Sequence, residues 1–166
     1  MKEPIWIQKA RSYIGLREFK GSKHNPKILN WWERIKAPFR DDETPWCGAF
    51  VGGVLSECNL PIVSGGASAR SWLKLPVRLN KPAVGAVVIF WRGSPSSASG
   101  HVGFIVGKDQ HGNLMVLGGN QGDEVNIKPF PISRVLGYRW PGSQPLPERY
   151  NLPVLTSDGR LSTNEA

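Results

Sequence analysis

Apolar positions recur at helical spacing through the first third of the chain and then give way to β-branched runs. Ile5, Trp6, Ile7, Ala10, Tyr13 and Ile14 predict a helix over residues 4–17, with Gly15 near its end. Ile28, Leu29, Trp32 and Ile35 predict a second helix over residues 26–36, with Asn25 as N-cap and Pro26 at the first helical position. After a polar stretch, Cys47, Ala49, Phe50, Val51, Val54, Leu55 and Cys58 predict a third helix, with Thr44 as N-cap, Pro45 at its first position and Asn59 at its stop. Gly48, Gly52 and Gly53 leave its surface small, so another element can approach closely. A short helix is expected from Ala69 to Leu73. Beyond Pro82 the pattern becomes strand-like: residues 84–91, 102–106 and 114–117, then 125–127 and 135–139. Asp109 to Asn113 reads as a hairpin turn. Helices first and then a consecutive antiparallel sheet predict an α+β fold.

Composition narrows this. The 166 residues suit one domain, set at residues 1–141, with residues 142–166 as a loosely ordered Pro/polar tail. No apolar run approaches the ~20 residues of a membrane span, and no signal peptide is visible at the N-terminus. Lys and Arg outnumber Asp and Glu by 21 to 13, a formal net charge of +8. Such a chain seeks anionic partners: nucleic acid, acidic lipid or cell wall. No nucleic-acid motif accompanies the charge.

Cys47 is the sharpest chemical candidate. At a helix start, free backbone N–H groups and the dipole are expected to stabilise its thiolate, the form that attacks a carbonyl carbon. Cys58, about three turns on, is too far along a continuous helix for a disulfide and is expected in the core. His101 follows a Gly/Ser/Pro loop and Gly100 at the start of a strand, where an imidazole can take a thiol proton and return it to a leaving amine. A Cys–His pair needs a third group to orient the ring. Asn120, with Gln121 and Asp123 as alternatives, follows the next strand. Trp46 is expected to wall a cleft and Glu18 to line it. Trp31 and Trp32 offer a platform, although Trp32 fits a core position better. His24 and His111 fall in a polar loop and a hairpin turn.

These segments resemble the NlpC/P60–CHAP superfamily of papain-like cysteine peptidoglycan hydrolases. The resemblance rests on Thr44-Pro45-Trp46-Cys47, Ala69-Arg70-Ser71-Trp72-Leu73, Gly100-His101-Val102-Gly103-Phe104, Leu117-Gly118-Gly119-Asn120-Gln121 and Leu136-Gly137-Tyr138-Arg139-Trp140-Pro141, in that order. It is closest to a branch found in phage lysins and bacterial wall hydrolases or toxins. It implies a papain-like α+β fold with the cysteine helix packed on a central antiparallel sheet of about five strands. It implies Cys47 as nucleophile, His101 as base and Asn120 as orienting residue, with Trp46, Glu18, Gly100 and Gln121 bordering the substrate. It implies no metal and no organic cofactor. The partner it implies is bacterial peptidoglycan, acted on by a monomer after release or delivery, with an immunity protein or inhibitor left open. One departure stands out: Trp46 occupies the position where many members carry Asp, which leaves open whether a stem-peptide bond or the muramoyl–L-Ala amide is cut. The competing readings are a non-catalytic wall-binding module on the same fold and a basic nucleic-acid binder.

Overall fold

The computed structural model describes residues 2–162. The helices come first: α1 (Ile5–Arg11), α2 (Pro26–Arg34) and α3 (Cys47–Glu57). Six strands follow: β1 (Val77–Leu79), β2 (Val87–Trp91), β3 (Gly100–Lys108), β4 (Leu114–Gly118), β5 (Asn126–Phe130) and β6 (Val135–Trp140). This is an α+β, papain-like architecture, with a 3-10 turn at Ala69–Lys74 beside the sheet.

Helix α1 is shorter than its periodicity predicts. Residues 12–16 continue as single turns, and Gly15, at φ +96°, redirects the chain. There the backbone pairs sideways, Gly15 N–H donating to Val125 O and Val125 N–H to Leu16 O. Helix α2 starts as expected, the Asn25 side chain accepting from Lys27 N–H at 2.9 Å. Helix α3 differs at its start. Trp46 is the N-cap residue and no side chain caps the helix, while Thr44 donates its N–H and Oγ1–H to Asp41 instead. The small residues of α3 act as anticipated. A Cβ on Gly53 would lie 2.1 Å from Trp31 Cδ1, and one on Gly52 2.3 Å from Ile35 Cγ2. These glycines seat α2 against α3.

The sheet runs β1-β6-β2-β3-β4-β5, and every neighbouring pair is antiparallel. Strands β2 to β5 are consecutive, but β6 crosses back to pair with β2, so the purely consecutive order expected from the sequence is corrected. Strand β1 had no sequence signal, because three residues after Pro76 carry no readable period. Alternate residues of the central strands enter two cores. Val87, Ile89, Val102, Phe104 and Leu117 pack with the helices, whereas Val88, Phe90, Ile105, Val116 and Phe130 face the other side.

That second apolar face needs cover. Tyr150 and Leu152 supply part of it. The chain after residue 141, expected as a loose tail, is held along the β3–β4 hairpin. Lys108 N–H donates to Pro153 O, Leu155 N–H to Lys108 O, and Ser157 Oγ–H to the Asp109 carboxylate at 2.8 Å. Ser162 N–H reaches Pro129 O. Residues 163–166 of that tail lie outside the described residues.

Candidate active site

Cys47 opens α3, which packs on β3 and β4, with only 4% of its surface exposed. The last β3–β4 pair on this side is Phe104↔Leu117. Beyond it β4 turns away, and the Val102 amide hydrogen-bonds the Cys47 sulfur. The N–H groups of Gly48 and of Cys47 itself also pull the thiol pKa down. An uncapped helix start leaves such donors free, so the missing side-chain cap is what lets them serve the thiol. Gly48 is also a close-approach position, because a Cβ there would sit 2.0 Å from Gly66 O.

The expectation of a depressed thiol pKa is corrected. Burial pushes the Cys47 thiol up, and the Val102, Gly48 and Cys47 amides and the Arg92 charge pull against it without prevailing. Burial therefore favours the thiol over the thiolate at Cys47.

His101, the residue before Val102, is fully buried in β3. Its ring lies parallel to Phe130, with centroids 5.1 Å apart and planes at 5°, and near Phe90 at 6.5 Å. Its Nε2 is 2.9 Å from Gln121 Oε1. The Gln121 amide nitrogen donates to Val116 O, Asn126 O and Asn126 Oδ1 at 3.2, 3.0 and 2.9 Å. Three acceptors around the NH₂ group turn the carbonyl oxygen to the imidazole. An amide oxygen only accepts, so His101 Nε2 is a nitrogen that carries a proton.

The amide that meets Nε2 thus belongs to Gln121, expected at the substrate border, and not to Asn120, expected as the orienting residue. Asn120 is buried with φ +59°, a left-handed turn that starts the 120–123 loop and sends Gln121 back under the sheet. Asp123, also an alternative, lies exposed further along this loop.

Trp46 is fully buried, so its expected place on the cleft wall is corrected: it stacks near Trp31 and donates Nε1–H to Glu18 Oε1 at 2.7 Å. Trp31 and Trp32 are core residues. Glu18 is half-buried. Burial pushes its carboxyl up, as do the charges of Asp123, Asp42 and Glu43, against the pull of the Trp46 N–H. It lines a cavity of about 470 Å³ with Arg17, Phe19, Lys20, Gly21, Glu43, Gly122 and Asp123. Gly100 starts β3 where a Cβ would meet Phe90 O at 2.7 Å and Arg70 Cγ at 3.3 Å.

Two supports escaped sequence reasoning. Asp42, buried in a polar loop, accepts from Phe19 N–H at 2.7 Å, Asn25 N–H at 2.8 Å and His24 Nδ1 at 3.1 Å. Burial alone would raise its carboxyl, but these donors hold it below the usual range. It pins residues 19–25 beside the cavity. A run of Asp-Asp-Glu carries no signal that singles out its middle member. Arg70 donates Nε–H to Ser99 O, Nη1–H to Pro95 O and Nη2–H to Ser94 O, so it moulds the loop that delivers His101. Its place in the Ala69–Leu73 motif was the available clue.

The candidate site thus comprises a helix-borne cysteine and a strand-borne histidine whose ring meets a glutamine amide. Residues 39–120 match the CHAP domain model, from the loop before α3 to the end of the Gly118–Asn120 turn. That match is consistent with the NlpC/P60–CHAP superfamily its motifs resemble. CHAP domains are typically cysteine-dependent peptidoglycan hydrolases or amidases, which suggests a function of that kind here. No curated protein matches the chain. Among the described residues no group of His, Cys, Asp and Glu could hold a metal ion, and no helix is long and apolar enough to cross a membrane.

Proposed function

We propose that the protein is a cysteine peptidoglycan hydrolase that cuts an amide bond in the stem peptide or cross-bridge through an acyl-enzyme. The observation that carries this reading is the Val102 amide on the Cys47 sulfur, which sets the nucleophile beside a histidine whose Nε2 meets Gln121 Oε1. His101 Nδ1 takes the Cys47 proton as sulfur attacks the substrate carbonyl carbon. Backbone N–H groups at the start of α3 receive the oxyanion. The imidazolium then protonates the leaving amine, the amine departs, and Nδ1 activates water to cleave the thioester. Gln121 holds the ring through both transfers.

Peptidoglycan stem peptides carry both carboxylates and amines. The cavity beside Glu18, which mixes Arg17 and Lys20 with Glu43 and Asp123, suits such a peptide and favours endopeptidase over muramoyl-amide cleavage. The +8 charge draws the protein to an anionic wall. We infer action at the wall, as a phage endolysin or a delivered antibacterial effector. The test is a digest of purified sacculi by wild type and by Cys47→Ala, with soluble fragments weighed by mass spectrometry. Fragments from wild type alone are expected, with amino acids still on the glycan. Fragments with bare muramic acid would make it an amidase. Pelleting of both proteins with sacculi and no fragments from either would make it a wall-binding module.

A further inference from the structure

Gly118 ends β4 directly opposite Asn126 of β5. Its φ is outside the left-handed region and its strand geometry is one any residue adopts, so conformation does not explain a glycine there. Space does. A Cβ on Gly118 would lie 2.2 Å from Gln121 Oε1, 2.9 Å from Gln121 Cδ and 3.3 Å from His101 Nε2. The Gln121 amide fills the volume that a side chain at 118 would take, where it meets the imidazole.

Asn126 stands across from that gap and clasps Gln121 twice. Its Oδ1 accepts from the Gln121 amide at 2.9 Å, and its Nδ2 donates to the Gln121 backbone carbonyl at 2.8 Å. Nδ2 also donates to Glu124 Oε1 at 2.9 Å, tying the clasp to the 120–124 loop. The CHAP match ends at Asn120, before either Gln121 or Asn126.

We propose that Gly118 and Asn126 are positioning residues for His101 that act through Gln121: the first leaves the slot its amide enters, the second fixes which end of the amide faces the ring. The proposal rests on the cysteine-hydrolase reading for its kinetic arm alone. Gly118→Ala displaces the flexible Gln121 side chain rather than the backbone, so the fold survives while the Nε2–H tautomer is no longer enforced. Asn126→Asp keeps the acceptor for the Gln121 amide and loses the donor, whereas Asn126→Leu loses both.

The experiment combines imidazole 15N NMR of His101 with kinetics on solubilised muropeptides. Gly118→Ala is expected to mix the His101 tautomers and to lower kcat about 10- to 100-fold with little change in KM, the range typical of residues that orient a functional side chain from behind. In a Gln121→Ala background the same change is expected to add nothing, because the clash has gone. Asn126→Asp is expected to lie between wild type and Asn126→Leu in both readouts. A wild-type 15N spectrum in Gly118→Ala, or an equal loss with and without Gln121, would overturn the proposal. The spectra decide it even where wild type itself turns over no muropeptide, an outcome that sinks the hydrolase reading separately.

Discussion

The two ends of α3 carry the chain's two cysteines, and what surrounds each sulfur differs. Both are free, and burial pushes both thiols up. At the N-terminal end, the amides of Cys47, Gly48 and Val102 converge on the sulfur, with Arg92 adding positive charge. At the C-terminal end, Cys58 is half-buried at the C-cap, with Lys9 pulling its thiol down and Glu57 pushing it up. A helix start offers unspent N–H groups and a helix end offers carbonyls. The same residue type on the same helix therefore has an anion-stabilising shell at one end only. On the proposed reading, reactivity follows from that shell and the neighbouring histidine rather than from exposure, since Cys58 is the more accessible.

The largest expected effect breaks the comparison at its centre. Cys47→Ser should lose at least about 1000-fold in turnover with the melting temperature near wild type, whereas Cys58→Ser should stay within about 2-fold. Sacculus digestion paired with thermal melts checks both; comparable losses from the two would refute the contrast.

Next come the glycines. Gly48→Ala drives a methyl toward the Gly66 carbonyl beside the nucleophile, and Gly53→Ala drives one into Trp31 a turn or more away. Each should cost about 1–3 kcal/mol by denaturant unfolding. Only Gly48→Ala should also depress the specific activity of the folded fraction, because the helix start carries the sulfur and its amides.

Alkylation sharpens the contrast in pH. Burial holds Cys47 protonated, so iodoacetamide should modify it slowly at pH 6.5. The rate should climb as pH rises past the ordinary thiol value of about 8.5. Fast modification at pH 6.5 would mean a preformed thiolate–imidazolium pair instead.

The smallest effect lies at the far end. Glu57, bound by Lys27 at 2.5 Å and by the Tyr13 hydroxyl, is held below its usual range by them although burial pushes it up, while Tyr13 is pushed up to about 12. A depressed carboxyl stabilises the fold above its unfolded value near ~4.3 and loses that contribution as pH falls through its folded value. Lys27→Met should therefore lower stability by about 1 kcal/mol at pH 7, with the deficit shrinking toward pH 3, and leave activity intact. Urea melts at the two pH values check the sign.

Much of this organisation was legible in advance. Local signals are short-range, and they were strongest where one segment states its own period and stops. The Asn25 cap of α2, the small surface of α3, the β-branched strands and the Asp109 hairpin all follow from neighbours within a few residues. The places of Cys47 at a helix start and His101 at a glycine-flanked strand start followed in the same way. Strand β1 was hidden because three residues have no period, and the return of β6 to β2 because strand order is set by long-range pairing. Asp42 was illegible because its donors, Phe19, His24 and Asn25, are distant in sequence.

The residue order alone was enough to single out the candidates: a cysteine at a helix start, a histidine at a strand start and an amide-rich turn after the next strand. Which amide meets the histidine was settled in three dimensions. Asn120 and Gln121 are adjacent, and choosing between them depends on the left-handed turn at Asn120, the vacancy at Gly118 and acceptors from β4 and β5. The protonation of Cys47 was settled there too. A helix start lowers a thiol's pKa when the sulfur is solvated, but packing between α3 and the sheet removes the water, and desolvation outweighs the amides. Both outcomes depend on volume and dielectric, which are properties of packed neighbours and not of any single stretch of chain.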